Sequence, residues 1–303
     1  MNGAGRAPRL AADLALLAVA AAWGLTFPLG KIVLTALPPF TYLAIRFALA
    51  AFIMLLWMPR RPGPVPQRAW MMGTLAGGVL FAGYALQTVG LGMTTAAKTG
   101  FITGLSVGLV PVISALWLRR VPGRGVVAGV TAATVGLVFL TLNEAIYVDA
   151  GDLLVLGGAV CFALHIVLVG RLAGTLDPVV LATAQIVPVA VLSTLAAFVE
   201  RPVAVTTAAI AATGAPVWGM ITFMALSGTV AALIIQTWAQ RFTTASHTAL
   251  MFTFEPVAAA IAAYLVLGEV LTGRQVLGAG LILAGIVTAE LNQESAEARV
   301  EET

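Results

Sequence analysis

The chain has 303 residues, of which 60% are hydrophobic and only 10% are charged, and its mean hydropathy is +1.01. A soluble domain carries about 25% charged residues, so this chain lacks the polar surface that water requires and its solvent must be largely lipid. The single cysteine, Cys161, excludes an internal disulfide and a cysteine-based metal cluster. The net charge of +3 is modest, and we expect no nucleic-acid partner.

Ten apolar stretches follow one another along the chain, each near the roughly 20 residues that cross a bilayer as a helix. They are continuous rather than short and alternating, so they predict helices and not the strands of a membrane barrel. The first is too long for a signal h-region, so we expect it to be retained. The predicted spans are 11–34, 38–58, 69–91, 95–118, 125–143, 151–171, 178–199, 215–238, 245–267 and 273–291.

Basic residues predict the orientation, because cytoplasmic loops carry an excess of Lys and Arg. With a cytoplasmic N-terminus, the outer links hold only Arg201 and Arg274, while Lys31, Arg46 and Lys98 lie within spans or at their edges. All the other basic residues fall on the inside, so we expect both termini to be cytoplasmic. Those residues are Arg6, Arg9, Arg60, Arg61, Arg68, Arg119, Arg120, Arg124, Arg171, Arg241 and Arg299.

The chain contains an internal repeat. Gln87-Thr88 and Thr94-Thr95-Ala96 return 149 residues later as Gln236-Thr237 and Thr243-Thr244-Ala245. Further pairs recur at an offset of 139 near the start of each half and at 149 near its end. Pro111 and Pro256 are 145 apart, which predicts about one extra turn before the first proline. The further pairs are Asp13 with Asp152, Pro39 with Pro178, Arg46 with Gln185, Gly129 with Gly278, and Gly136 with Gly285.

Five spans in each half is an odd number, so the second half starts on the opposite side of the membrane. Such inverted repeats occur in many secondary transporters, whose site lies at the midplane between the halves. The predicted fold is an all-α membrane protein with ten transmembrane helices in two inverted five-helix repeats. We assign residues 1–145 to the first repeat, 146–291 to the second, and 292–303 to an acidic cytoplasmic tail.

Motifs of catalysis are absent from the sequence. There is no His-Glu-x-x-His, no Gly-x-Ser-x-Gly, no phosphate-binding Walker loop and no Cys/His metal spacing. The chain is therefore not predicted to be an enzyme or to hold a cofactor or metal. An ATP-driven pump would need a separate subunit to supply the nucleotide site.

Glu255, near the middle of the ninth span and just before Pro256, is the deepest charge in the sequence. Burying a carboxylate in a membrane costs several kcal/mol without a partner, so such residues are functional candidates by default. One interpretation is a proton-binding or substrate-contacting carboxylate. The other is structural, with the carboxyl bonding backbone groups freed by the proline. The sequence leaves both open.

Basic candidates stand at the predicted mouths. Lys98 begins the fourth span on the outside, where it either snorkels to the interface or faces a cavity and meets an anion. Its repeat mate, His247, begins the ninth span on the cytoplasmic side. Arg46 is predicted to snorkel and to pair with a carbonyl near the outer interface, and Lys31 is predicted to be interfacial. His165, among apolar neighbours, is predicted to be packed and hydrogen-bonded rather than a proton relay.

Polar and aromatic side chains in the spans complete the candidate set. Tyr84 and Gln87 share one helix face, and Gln236 is the repeat mate of Gln87. Buried amides need partners, so these residues either bond neighbouring helices or line a polar cavity. Large aromatics either pack or line a site. Glycines in the third and fourth spans indicate close helix packing. The aromatic candidates are Trp23, Phe27, Phe101 and Trp238.

Taken in order, these motifs resemble the drug/metabolite transporter superfamily in its ten-helix EamA-type branch, over about residues 11–291. The residues that carry the resemblance are Trp23-Gly24 with Phe27, Pro38-Pro39, Arg46-Phe47, Thr94-Thr95-Ala96-Ala97-Lys98, Phe101-Ile102-Thr103-Gly104-Leu105, Val110-Pro111, Glu255-Pro256, Gly268-Glu269, Gln275, Gly278-Ala279 and Gly285.

The resemblance implies a central cavity built mainly by helices 1, 3, 4, 6, 8 and 9, alternating access, and export of small metabolites, commonly amino acids, in bacteria. The first half departs from the second, since Arg119-Arg120 stands in place of Gly268-Glu269 and Val110 in place of Glu255. A symmetric role for two glutamates is therefore excluded.

Three functions compete at this point. The first is a secondary exporter of amino acids or similar metabolites in a bacterial inner membrane, with proton coupling open and the chain a monomer or homodimer. The second is a multidrug or lipophilic-cation efflux transporter that uses Glu255. A membrane enzyme or structural protein is disfavoured by the missing motifs. The cavity candidates are Trp23, Tyr84, Gln87, Lys98, Phe101, His165, Gln236, Trp238, His247 and Glu255.

Overall fold

The computed structural model of the protein describes residues 6–58, 67–94, 96–118, 124–141, 149–267, 272–274, 276–285 and 287–288, and every regular element in these ranges is helical. The predicted tail lies outside them. The helices are α1 Arg6–Ala36, α2 Pro39–Trp57, α3 Gln67–Met93, α4 Ala96–Gly104, α5 Ser106–Leu118, α6 Arg124–Thr141, α7 Ala150–Leu172, α8 Pro178–Glu200, α9 Val203–Ala212, α10 Ala215–Ala225, α11 Ala232–Ala239, α12 Ala245–Phe252, α13 Phe254–Leu267 and α14 Val276–Gly285.

Six stretches are long and apolar enough to cross a membrane, and they include α10 and α11 joined by a π turn. Shorter apolar helices accompany them, so the described chain is an all-helical, multi-pass membrane fold. The six stretches are Pro8–Ala36, Pro39–Trp57, Gln67–Met93, Ala150–Leu172, Pro178–Glu200 and Ala215–Ala239. The shorter ones are Ile102–Trp117, Val127–Gly136, Val203–Ala212 and Val276–Gly285.

Two predicted spans are interrupted where the sequence predicted continuous helix. The fourth breaks at Leu105 into α4 and α5, and the ninth breaks at Thr253 into α12 and α13. Pro256 explains the second break, because it has no N–H to donate and its ring crowds the carbonyl one turn earlier. The short helix α9, between the seventh and eighth predicted spans, was also not predicted.

The helix bounds agree with the predicted offset around the prolines. α4 and α12 start 149 residues apart, at Ala96 and Ala245, and their breaks at Leu105 and Thr253 fall at almost the same interval. Pro111 therefore lies about one turn later in its helix than Pro256 does in the other repeat, as the sequence predicted.

Glycines set the spacing between several helices, as predicted for the third span but not for the fourth, where a Cβ on Gly100 or Gly108 would lie 3.6 Å or 3.8 Å from its nearest neighbour. A Cβ added to Gly90 on α3 would lie 2.6 Å from the carbonyl oxygen of Gly151 on α7. One added to Gly24 on α1 would lie 2.7 Å from the carbonyl oxygen of Glu255 on α13. No side chain fits at these distances, so the backbones touch, which is how small residues pack membrane helices.

Reciprocal contacts between α6 and α14 relate the two repeats. A Cβ on Gly136 would lie 2.6 Å from the carbonyl oxygen of Gly278, and one on Gly285 would lie 2.6 Å from that of Gly129. Gly136 and Gly285 are repeat mates, and so are Gly129 and Gly278. Mates exchanging the same contact define a local two-fold axis, and the order of the contacts makes the two helices antiparallel.

α2 and α8 are also repeat mates that pack against each other, but their first turns are capped differently. Asp177 caps α8 locally, with Oδ1 accepting from the amides of Val179 at 2.9 Å and Val180 at 3.2 Å. The mate of Asp177 is Pro38, which has no side-chain acceptor. Glu200, at the far end of α8, supplies it instead, with Oε2 accepting from the amide of Phe40 at 3.1 Å.

Candidate functional site

A cavity of about 60 Å³ lies between the two repeats. Helices of both halves contribute side chains to it: α1 to α5 from the first repeat, and α7 and α11 to α13 from the second. The resemblance implied the first, third, fourth, sixth, eighth and ninth predicted spans. In the structure these spans supply α1, α3, α4 with α5, α7, α11, and α12 with α13, and α2 lines the cavity in addition.

The lining follows the repeat. On α1 and α7 the lining residues are mates at an offset of 139, and from α3 onward they are mates at 149. The local two-fold axis therefore relates the two walls of the cavity position by position. The seven pairs are Trp23 with Phe162, Thr26 with His165, Phe27 with Ile166, Tyr84 with Leu233, Gln87 with Gln236, Thr103 with Phe252, and Ser106 with Glu255.

Six of the predicted candidates line this cavity, and they come from five different helices. Trp238 and His247 lie elsewhere, and the side chains of Lys98 and Phe101 fall outside the described part of the structure. The six lining residues are Trp23, Tyr84, Gln87, His165, Gln236 and Glu255.

Trp238 and His247 contact other groups. The ring of Trp238 packs 5.4 Å from that of Phe242 and against a hydrophobic core cluster. His247 is fully buried, and its Nε2 lies 3.0 Å from Oδ1 of Asp13, so it joins the start of α1 to the start of α12.

Arg46 corrects the sequence prediction most clearly, because its guanidinium does not snorkel to the interface. The residue is only 4% exposed and lines the cavity. Nε donates to Thr229 Oγ1 at 3.0 Å, Nη1 to Tyr42 OH at 3.0 Å, and Nη2 to the carbonyl of Gly228 at 3.1 Å. The charge also lies 5.2 Å from the centre of the Tyr84 ring, within cation–π range.

A π turn, Leu226–Ala231, supplies the main-chain acceptor for Arg46. A π turn shifts the hydrogen-bond register by one residue, and such turns are frequent at functional sites. Within it, the carbonyl of Gly228 accepts from both Arg46 and the indole Nε1 of Trp23, the latter at 2.9 Å. Thr229 Oγ1 donates to the carbonyl of Met224, five residues back. The turn thereby fixes Trp23 and Arg46 at the cavity.

Glu255 lies in the first turn of α13, directly after the break at Thr253. Its side chain lines the cavity and forms no hydrogen bond or ion pair with any residue that the structure describes. Ser106, in the first turn of α5, occupies the equivalent place in the first repeat. Ser106 rather than Val110 is thus the mate of Glu255, and Val110 is instead packed in the core.

His165 has the packed, hydrogen-bonded environment expected for it. It is 3% exposed, and its Nε2 lies 2.6 Å from Oε1 of Gln185, the repeat mate of Arg46. The Gln185 amide nitrogen donates to the carbonyl of Leu181 at 3.0 Å. Oε1 of Gln185 is therefore the acceptor, which places the proton of His165 on Nε2.

The two glutamine mates differ in how they are satisfied. Gln87 Nε2 donates to Thr103 Oγ1 at 2.9 Å, which joins α3 to α4. Gln236 is 1% exposed, its Nε2 lies 3.5 Å from Oε1 of Gln240, and its own Oε1 has no hydrogen-bond partner in the described structure. The second repeat therefore presents a buried amide oxygen that has no partner among the described residues.

Several lining residues were not selected from the sequence, among them Thr26, Thr103, Ser106, Phe162 and Phe252. Each is the repeat mate of another lining residue. The repeat offsets applied to the candidates already chosen would have found Phe162, Thr26 and Ser106 directly. Thr103 and Phe252 are mates of each other, so no chosen candidate pointed to either.

A family model described as the EamA-like transporter family matches residues 10–142 and again residues 149–289. The chain belongs to this family. It is a multi-pass membrane transporter of the drug/metabolite transporter superfamily, as the sequence resemblance indicated, and not an enzyme.

Relatives of this transporter support the assignment. An uncharacterized transporter of Archaeoglobus fulgidus is 34% identical over 290 residues, covering 96% of this chain and 89% of the relative. The uncharacterized transporter YyaM of Bacillus subtilis is 29% identical over 277 residues, covering 88% and 89%. A solved crystal structure at 19% identity superimposes with a TM-score of 0.76, covering 95% of this chain and 99% of that one, and shows a shared fold.

Proposed function

We propose that this transporter is a secondary active exporter of small metabolites, with amino acids as its cargo, in the bacterial inner membrane. The observation that carries the proposal is the cavity between the repeats, whose walls are lined at equivalent positions. A site on a two-fold axis between structural repeats can be reached from either side when one repeat rocks against the other.

The proposed topology has ten spans in two inverted repeats with both termini in the cytoplasm. The count of ten treats three pairs of helices as one interrupted span each: α4 with α5, α10 with α11, and α12 with α13. It also places α9 outside the bilayer and lets α6 and α14 each cross the bilayer once. Support comes from the antiparallel, reciprocal packing of α6 and α14 and from the excess of arginine in the predicted inner segments.

Cavity chemistry favours amino acids over the alternative of lipophilic cations. Its volume of about 60 Å³ corresponds to roughly four to six water-sized spaces at ~10–15 Å³ each, which suits a small metabolite better than a large drug. Both signs of charge are present, in Arg46 and Glu255. α5 and α13 also begin at the cavity, and helix N-termini attract carboxylates.

Proton coupling belongs to the same proposal. Glu255 is the one carboxyl among the described lining residues, so a proton bound there in exchange for cargo would link transport to the proton gradient. Both walls of the cavity come from one chain, so a monomer is sufficient for transport and a homodimer is not required.

The test is flux into proteoliposomes loaded with one amino acid at a time, with a parallel panel of lipophilic cations. We expect uptake and counterflow for a subset of the amino acids, stimulated by a pH gradient. Flux of cations alone would favour the alternative function. No flux of either class by protein that is folded in detergent would refute the proposal.

A further inference from the structure

The cavity is unevenly supplied with hydrogen-bonding groups. Every nitrogen donor of the lining side chains already donates within the protein: Trp23 Nε1 to Gly228, Gln87 Nε2 to Thr103, and all three guanidinium nitrogens of Arg46. His165 Nε2 is engaged with Gln185, and the amide of Gln236 faces Gln240. The lining nitrogens are thus largely occupied before any cargo enters.

Two acceptors of the lining have no donor among the described residues. The carboxyl of Glu255 forms no hydrogen bond with a described residue, and Oε1 of Gln236 is buried without a partner. Both residues belong to the second repeat, on α13 and α11. A buried acceptor without a donor is costly by about 1–3 kcal/mol, so these two groups mark a place where a donor is missing.

Aromatic rings frame the same region. Trp23 and Phe252 pack with ring centres 4.8 Å apart, and Trp23 is held in place by its bond to Gly228. Phe252 precedes the break that introduces Glu255. Ring faces attract a cation, and most strongly where water is excluded, so the rings and the acceptors favour the same kind of ligand.

We infer that Glu255 and Gln236 form an ammonium site, so that the cargo is bound by its amine against the second repeat. A primary ammonium has three N–H donors and a positive charge, which match a carboxylate, an amide oxygen and an aromatic face. This inference rests on the proposed transport function and adds to it, because it names the group of the cargo that the protein recognises.

The decisive measurement uses the full-length native protein in detergent and two sets of matched compounds. One set is leucine, 3-methylbutylamine and 4-methylpentanoate, and the other is phenylalanine, 2-phenylethylamine and 3-phenylpropanoate. At a fixed concentration, a bound ligand raises the unfolding temperature by an amount that grows with the logarithm of its affinity. We expect the amine-bearing compounds of at least one set to stabilise the protein, and the matching acid without an amine to bind about ten- to hundred-fold more weakly, as loss of a charge-assisted hydrogen bond predicts.

Variants then locate the amine on the protein. Glu255→Gln should abolish the preference for the amine over the acid, Gln236→Leu should reduce it, and Glu255→Asp, which keeps the charge, should retain it.

If the acid without an amine binds native protein as well as its amino acid, or if Glu255→Gln keeps the full preference, the inference is overturned while transport stands. If no compound binds and none is transported, the proposed function fails with it. A Glu255→Gln protein that does not fold leaves the comparison on native protein to decide.

Discussion

The two walls of the cavity share one backbone arrangement but carry different chemistry. The first repeat contributes a cation, Arg46, where the second has Gln185, and the second contributes an anion, Glu255, where the first has Ser106. The two charges therefore come from different positions of the repeat. A symmetric frame allows the cavity to open either way, and unequal side chains give a bound molecule one preferred orientation.

Removal of Arg46 is expected to reduce the stability of the protein more than any other change that tests the difference between the two walls. Arg46→Leu removes three hydrogen bonds from a charged group, to Thr229, Tyr42 and the carbonyl of Gly228, and each such bond contributes about 1.5–3 kcal/mol. Gln185→Leu, at the mate position, removes two neutral bonds, to His165 and to the carbonyl of Leu181, at about 0.5–1.5 kcal/mol each. Thermal unfolding in detergent measures both, and equal losses would show that the two positions do not differ as described.

The second-largest effect is expected at the glycine contacts between α6 and α14, which relate the two repeats. Gly136→Ala and Gly285→Ala each place a methyl group about where the facing carbonyl now lies, and overpacking of this kind is destabilising by about 1–3 kcal/mol. Since the two glycines are mates, we expect the two losses to be similar. Gly78→Ala is the control, because a Cβ there meets nothing within 4 Å. Strongly unequal losses at Gly136 and Gly285 would contradict the local two-fold axis.

A smaller effect is expected where mate aspartates join the repeats, each ten residues before a lining residue, Trp23 or Phe162. Asp13 Oδ1 lies 3.0 Å from His247 Nε2, and Asp152 accepts from Thr94 Oγ1 at 2.7 Å. In the proposed topology these contacts lie on opposite sides of the cavity, so Asp13→Ala should favour the state open to the cytoplasm and Asp152→Ala the state open to the outside, each by about 1–2 kcal/mol.

Thiol labelling measures this shift, with Thr103→Cys as the cavity probe in a Cys161→Ser background. An impermeant maleimide should react faster from the inner face in Asp13→Ala and faster from the outer face in Asp152→Ala. The same direction of change in both variants would show that the two contacts do not hold opposite ends.

The smallest expected effect comes from moving the carboxyl across the axis. In a Ser106→Glu, Glu255→Ser double variant the acidic group is retained at the mate position. If the frame is symmetric, the preference for amines over matched acids should survive, with affinity changed by less than about tenfold, whereas Glu255→Ser alone should lose it. Loss of the preference in the double variant would show that the second repeat is required in particular.

Hydropathy and the recurring motifs were sufficient to predict the helical membrane fold, its two repeats and most of the polar groups at the cavity. Local events inside helices were not predicted, because a window of 20 residues averages over them. The breaks at Leu105 and Thr253 and the π turn at Leu226–Ala231 each depend on one or two backbone hydrogen bonds. Average apolarity contains no signal for such bonds.

Arg46 shows the same limit for a side chain. Sequence alone gave the general rule that an arginine near a membrane surface snorkels. The structure gives it a carbonyl acceptor 182 residues away, within a π turn of the other repeat, and this partner makes burial favourable. The sequence could not predict this partner, because no local pattern relates Gly228 to Arg46.

The cap that Glu200 places on α2 has a consequence for the order of biosynthesis. While the first repeat is being made, the amide of Phe40 has no acceptor from its own segment, because Pro38 stands where the other copy has Asp177. That helix end is completed only after α8 has been translated and inserted. The first turn of α8 has a local cap and that of α2 does not, so in separately expressed halves the start of α2 should be less stable than the start of α8 by about 0.5–2 kcal/mol.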